Sequence, residues 1–171
     1  MPSAVLEPHP ATPCAALRGI RVCIAHSRGH WRLSYVLEGE IARLRIPERR
    51  TPRGTERLWE HTCCELFIAR PGESSYREFN FSPSTEWAAY AFEGYREGAR
   101  VLDLPATITT RQSAQQLELE ASLSLREAGR LIVGVSAVIE QQDGARSYWS
   151  LRHAPGKPDF HHRDAFALEL E

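Results

Sequence analysis

The 171-residue sequence lacks the features that mark most enzymes and most nucleic-acid binders. It has no His-Glu-x-x-His pair, no Gly-x-Ser-x-Gly elbow and no glycine-rich phosphate loop. Charge of one sign is absent too. The 21 basic residues are balanced by 22 acidic ones, so no broad field draws the chain to nucleic acid or an anionic membrane. No apolar run reaches the roughly 18 residues of a membrane span. Lysine is almost missing. Lys157 is the only one, and it is the sole candidate for Schiff-base chemistry. Cysteine is sparse. Cys14, Cys23, Cys63 and Cys64 match neither a zinc motif nor a disulfide framework. The start, Met1 to Cys14, is rich in Pro and Ala and has no apolar stretch of signal-peptide length. The expectation is a flexible arm over residues 1–14, one domain over 15–171, reduced thiols and a cytoplasmic setting.

What is present is alternation. Apolar residues recur with a period of two, in short segments cut by Gly, Pro, Ser and Asp. Strands are expected at Arg18 to Ala25, His30 to Leu37, Ile41 to Ile46, Thr62 to Ala69, Arg77 to Phe81 and Trp87 to Phe92. Further ones are expected at Thr107 to Arg111, Gln116 to Leu123, Leu131 to Glu140, Ser147 to Leu151 and Ala165 to Leu170. Residues 47–56 and 93–105 read as loops. Ser124 to Glu127 has the form of a capping box and predicts a helical turn. Asp143-Gly144 predicts a two-residue hairpin. Roughly ten or eleven antiparallel strands at this spacing predict an all-β fold: a β-sandwich of jelly-roll or immunoglobulin-like type.

One hairpin carries chemistry. Cys64, Leu66 and Ile68 should face the core with Phe79 and Phe81. Cys63, Glu65 and Phe67 then share the opposite face with Tyr76, Glu78, Asn80 and Ser82. A turn over Pro71 to Ser75 pairs Ala69 with Tyr76 and sets Glu65 opposite Asn80. A carboxylate beside an amide can hold vicinal hydroxyls. The plain alternative is a solvated outer face. Trp59, in a loop just before the strand, argues for more than that. A thiol at Cys63 would be raised in pKa by its carboxylate neighbour and kept inert.

The closing stretch from Ser147 to Phe166 is the second focus. It holds Tyr148, Trp149, His153, Asp159, Phe160, His161 and His162 among prolines. Such a loop can wall a pocket. It can also be a tight corner with Phe160 as its plug.

The run Leu58-Trp59-Glu60-His61-Thr62-Cys63-Cys64-Glu65-Leu66-Phe67-Ile68, followed by Glu78-Phe79-Asn80-Phe81-Ser82-Pro83, resembles the DOMON-like superfamily. It is similar to family 9 carbohydrate-binding modules in particular. Ser147-Tyr148-Trp149 and the stretch Pro158 to Phe166 resemble the bacterial, uncharacterised DOMON-like branch. The resemblance runs from about residue 15 to the end. It implies a β-sandwich that holds a sugar between two aromatic side chains. The first would be Trp59 and the second Phe160, where the family's sugar binders carry Trp. Glu65 would be the acidic partner. The family's basic position falls at Asn80, which carries no charge. The superfamily also includes haem binders; Met–His ligation is set aside here, since Met1 is the only methionine, and two-histidine ligation stays open.

Two functions compete. The first is a non-catalytic domain for a sugar-like small ligand, with no cofactor. Trp59 and Phe160 would stack on it. Glu65, Asn80 and Asp159 would hydrogen-bond, with Tyr148, Trp149, His153 and His161 nearby. The second is a metal-binding protein or metal-dependent hydrolase, with His153, His161, His162, Asp159, His61 and Glu65 converging. A glycosidase would need two carboxylates across a cleft, and Glu65 and Glu78 could be near neighbours. A sheet edge offered to a protein partner is a further option.

Overall fold

In the computed structural model, which describes residues 2–171, the chain is all-β. Met1 lies outside the described residues. Twelve strands follow in order: β1 (Ser3–Pro8), β2 (Leu17–Ser27), β3 (His30–Gly39), β4 (Cys63–Ala69), β5 (Tyr76–Phe81) and β6 (Trp87–Phe92). Then come β7 (Arg100–Val101), β8 (Ala106–Gln112), β9 (Gln116–Ser124), β10 (Leu131–Glu140), β11 (Arg146–Ser150) and β12 (Leu168–Leu170). The only helical pieces among the described residues are three short 3-10 turns, at Ile41–Arg43, Leu58–Glu60 and Arg163–Ala165.

Eleven of these strands form one curled antiparallel sheet, a half-barrel, in the order β7-β6-β5-β4-β10-β11-β1-β2-β3-β9-β8, and β12 pairs with β10 off this path. The all-β, antiparallel expectation holds, but where a two-sheet sandwich was expected the strands follow one continuous path. Its join is β1, which pairs with β2 on one side and β11 on the other. This corrects the expectation of a flexible arm over 1–14. The Pro- and Ala-rich start shows no alternating run, yet Leu6 is buried at the centre of the fold.

Side chains from both halves of the curl share one core. Ile20, Val22, Leu33, Tyr35 and Leu119 come from one half; Leu66, Phe79, Phe81, Val133 and Val135 come from the other. Tyr35 Oη donates to the Glu65 carbonyl at 2.7 Å and pins the halves together. A buried hydroxyl needs such a partner.

Other expectations shift locally. Ile41 to Ile46 is not a strand: a 3-10 turn and a single bridge, Leu44 to Gln141, replace it. Ser124 ends β9, and no helical turn follows at 125–127. The β10–β11 hairpin spans three residues rather than two. Gln141 N–H donates to the Ala145 carbonyl at 2.8 Å, and Gly144 takes the positive φ of 87° that closes the loop. The final strand is shortened to Leu168–Leu170, because the chain first descends onto the sheet at Arg163–Ala165.

That descent shapes the functional face. Gly134 on β10 lies opposite Phe67 of β4. A Cβ there would meet Phe166 Cδ1 at 3.1 Å and the Ala165 carbonyl at 3.3 Å. The missing side chain is the seat for the closing segment. Phe67, Ala69, Tyr76, Val138, Phe160, Ala165 and Phe166 form a second apolar cluster there, outside the main core.

Candidate functional site

The β4–β5 hairpin is paired as its sequence dictates. Ala69 faces Tyr76 and Glu65 faces Asn80. Pro71-Gly72 closes the turn, with Gly72 at φ 79°. Leu66, Cys64, Phe79 and Phe81 enter the main core. Phe67 and Tyr76 belong to the outer cluster, and Glu65 and Glu78 open onto the cleft above it.

Two flaps cover that outer face. One is the turn at Leu58–Glu60, anchored by buried Leu58 against Cys63, Ala88 and Tyr90. It holds Trp59 edge-on to Tyr90 at 6.1 Å, with 41% of the tryptophan exposed. The other is the closing segment, which brings Phe160 against Tyr148 at 5.9 Å. Between the flaps lies a cleft of about 620 Å³. Trp59, Tyr90, Phe92, Tyr148 and Phe160 supply its aromatic surfaces, and Glu65, Glu78, Arg96, Arg146 and His161 its polar ones. That volume falls in the range of small-molecule sites, about 300–1,000 Å³.

A tight network fixes the rim. Asp159 pairs with Arg96 at 2.9 Å, accepts from Tyr95 Oη, and accepts the His161 backbone N–H at 3.1 Å. Arg96 N–H donates to Tyr76 Oη at 3.2 Å, and that hydroxyl lies 2.7 Å from His161 Nδ1. A neutral imidazole with its proton on Nε2 fits both neighbours, since Nε2 points to Glu78 Oε2 at 3.5 Å. Burial, and then the Arg96 charge, push the His161 pKa down to about 4. Arg57, just before the Leu58–Glu60 turn, and Arg96, in the cleft lining, both hold left-handed backbone, at φ 64° and 53°. Such conformations persist in non-glycine residues only where surrounding contacts enforce them.

The carboxylates are unusual. Glu65 is 2% exposed and Glu78 5% exposed. Burial raises Glu65 well above the usual carboxylate range, and Glu78 adds to this by like-charge repulsion. Burial lifts Glu78 to about 7. The two titrate as a pair that keeps a proton near neutral pH. Cys63, fully buried beside them, has its thiol pushed up by burial first and Glu65 second. It is an inert thiol, and all four cysteines are free.

Of the residues expected at the site, Trp59, Glu65, Tyr148, Phe160 and His161 meet at one cleft. Asp159 orders its rim. Asn80 does not reach it. It is fully buried; its amide lies near enough to Glu78 to favour the charged form, yet neither Oδ1 nor Nδ2 meets hydrogen-bond geometry. Trp149 is a core residue. It pairs opposite Ala137, packs in the main cluster and donates from Nε1 to Ser147 Oγ at 2.9 Å. His153 sits elsewhere, bonded to the Glu7 carbonyl at 2.7 Å and edge-on to His9. His61 pairs with Glu140 at 2.8 Å, and His162 caps the 3-10 turn that starts at Arg163. The proposed metal ligands are thus dispersed, and among the described residues no group of three or more His, Cys, Asp or Glu could hold a metal ion.

Sequence reasoning missed Tyr90, Phe92, Arg96 and Arg146 as cleft residues. Tyr90 and Phe92 were legible from parity, since they pair with Glu78 and Tyr76. Arg96 was not, because it lies in an irregular loop.

No family model matches the chain, and no curated protein matches its sequence. Solved structures do share its fold. A candidate carbohydrate-binding protein from Bacteroides uniformis superposes with a TM-score of 0.66 at 15% identity, covering 99% of this chain and 85% of its own. A family 9 carbohydrate-binding module from Caldicellulosiruptor kristjanssonii, solved in complex with glucose, gives 0.50 at 8% identity, covering 88% of this chain and 76% of its own. The all-β fold of this chain is therefore similar to that of carbohydrate-binding proteins.

Proposed function

We propose that the chain is a non-catalytic carbohydrate-binding domain of DOMON-like type, its curled sheet serving as the family's β-sandwich. A sugar-like ligand enters the cleft between the two flaps. Trp59 and Phe160 take its apolar C–H faces, and the polar groups of the floor and rim fix its orientation. The observation that carries this reading is the convergence of Trp59, Phe160 and Glu65. Two flaps remote in sequence bring the two aromatics to the cleft whose floor holds the carboxylate. The fold likeness to carbohydrate-binding proteins supports it independently. Arg96 and Arg146 supply the basic groups that Asn80 lacks. The four free thiols suit the proposed cytoplasmic setting, where a soluble metabolite is a better ligand than an insoluble polymer.

The test is thermal unfolding against a panel of mono- and disaccharides. A bound sugar raises the melting temperature by mass action. Trp59→Ala should weaken that binding by about tenfold or more. A sugar response that persists unchanged in Trp59→Ala, or no response to any sugar, contradicts the reading.

A further inference from the structure

Four glutamates are buried among the described residues: Glu65, Glu78, Glu86 and Glu140. Two of them have an arginine. Glu86 pairs with Arg53 at 2.9 Å and Glu140 with Arg45 at 3.0 Å. The two at the cleft floor do not. Glu65 accepts one long hydrogen bond, from Ser136 Oγ at 3.5 Å. Glu78 has His161 Nε2 at 3.5 Å, on an imidazole that burial keeps neutral, and the Asn80 amide nearby but outside hydrogen-bond geometry. Arg96 and Arg146 line the same cleft, but neither forms an ion pair with Glu65 or Glu78: the Arg96 guanidinium is paired with Asp159 and acts on the two carboxylates only through its field. A buried carboxylate without a cation or several donors is costly, and the fold tolerates two side by side.

We propose that the missing cation arrives with the ligand: the cleft selects an amino sugar, whose ammonium sits at Glu65 and Glu78 while its ring stacks on the aromatic walls. This rests on the carbohydrate reading above and names the class of sugar. An ammonium brings three donors and a full charge to acceptors that have almost none. The aromatic faces of Tyr90, Phe92 and Tyr148 also favour a cation over a neutral hydroxyl. A neutral sugar would leave the acid pair protonated. An N-acetyl group would remove the charge.

The groups that face the acid pair set its proton count. His161 comes from the closing segment, Arg96 from the loop after β6, Tyr90 from β6 and Tyr76 from β5. Cys63 lies on β4, Arg146 on β11, Glu60 on the Trp59 flap and Glu56 just before it. Burial leaves a proton on the pair near neutral pH. The incoming ammonium displaces it to solvent, so binding an amino sugar releases a proton.

Titration calorimetry on the full chain at pH 7 decides the matter, in two buffers of different ionisation enthalpy. The ligands are glucose, glucosamine, 6-amino-6-deoxyglucose and N-acetylglucosamine. The expected result is that one of the two amines binds about tenfold or more tighter than glucose, with proton release. In the isosteric Glu78→Gln variant that ratio and the proton release should both fall. Equal affinity for glucose and both amines overturns the amine proposal and leaves the carbohydrate reading intact. Tightest binding to N-acetylglucosamine does the same. Binding of none of the four overturns the amine proposal and counts against the carbohydrate reading as well.

Discussion

The two halves of the curled sheet carry the same alternating pattern, yet their outer faces differ. On β2, β3 and β9 the core-facing residues alternate with exposed or half-buried ones, such as Arg21, Arg32 and Glu120. On β4 every residue is buried, and β5 and β10 come close to that. Part of the difference lies in the strands, whose outward residues include Phe67, Tyr76 and Val138. The rest lies in what covers them. The outward residues of β2–β3–β9 are exposed or half-buried, so its polar residues meet water. The Trp59 flap and the closing segment lie over β4–β5–β6, so its carboxylates are desolvated and its aromatics wall a cleft. A patterned strand face becomes a site when a remote segment shelters it.

Stripping the cover away should be the largest effect. Phe166 packs on Phe67 at 5.5 Å, with Arg163 over its ring at 5.0 Å. Phe166→Ala should cost about 3–5 kcal/mol in urea unfolding, as removal of a buried aromatic does. Glu120→Ala on the uncovered face should stay within about 0.5 kcal/mol. Comparable costs at both positions would erase the contrast.

Next comes the seat of the closing segment. Gly134→Leu pushes against Phe166 and the Ala165 backbone. Overpacking of this kind costs about 1–3 kcal/mol. It should also weaken sugar binding, because Phe160 and His161 ride on the same segment; binding that survives intact would separate the cleft from its cover.

The acid pair gives the covered face a pH signature. Both folded pKa values lie above the unfolded ones, and for Glu78 the folded state holds the extra proton between about pH 4.5 and 7. Stability contributed by protonated Glu78 is full below that window and is lost as pH rises through it. For Glu78 the loss is roughly 3 kcal/mol at most, from about 1.4 kcal/mol per pKa unit. Glu78→Gln should therefore flatten the decline in urea-unfolding free energy between pH 5 and 8. An unchanged slope would place Glu78 in water. Smallest in stability is Trp59→Ala, which should alter unfolding by about 0.5 kcal/mol or less, since the ring is 41% exposed, while impairing binding.

The covered hairpin was legible because its information is local. Alternation, one Pro-Gly turn and parity sufficed to put Glu65 opposite Asn80 and Ala69 opposite Tyr76. Three things were not local. β1 has no alternating run of its own, and only its two neighbours make it a strand. Tyr148 and Trp149 are adjacent and equally aromatic. Which one faces the cleft depends on register with β10, where Trp149 meets Ala137 on the core side and Tyr148 meets Val138 on the cleft side. The path of the closing segment depends on tertiary contacts. It leaves His153 at the Glu7 carbonyl of β1 and brings His161 to the acid pair. Arg96 enters through a loop whose left-handed backbone no composition announces.

The central claim is that ligand binds the sheltered face and not the open one. Indole N–H resonances report it directly, because the four tryptophans are placed apart. Trp59 stands at the cleft, Trp31 and Trp149 are buried in the main core, and Trp87 packs against that core's edge. Titrating sugar into labelled protein should shift the Trp59 indole and the backbone amides of Tyr90, Arg96 and His161. Trp31, Trp149 and the outward residues of β2, β3 and β9 should stay still. Shifts centred on β2–β3–β9 would contradict the account.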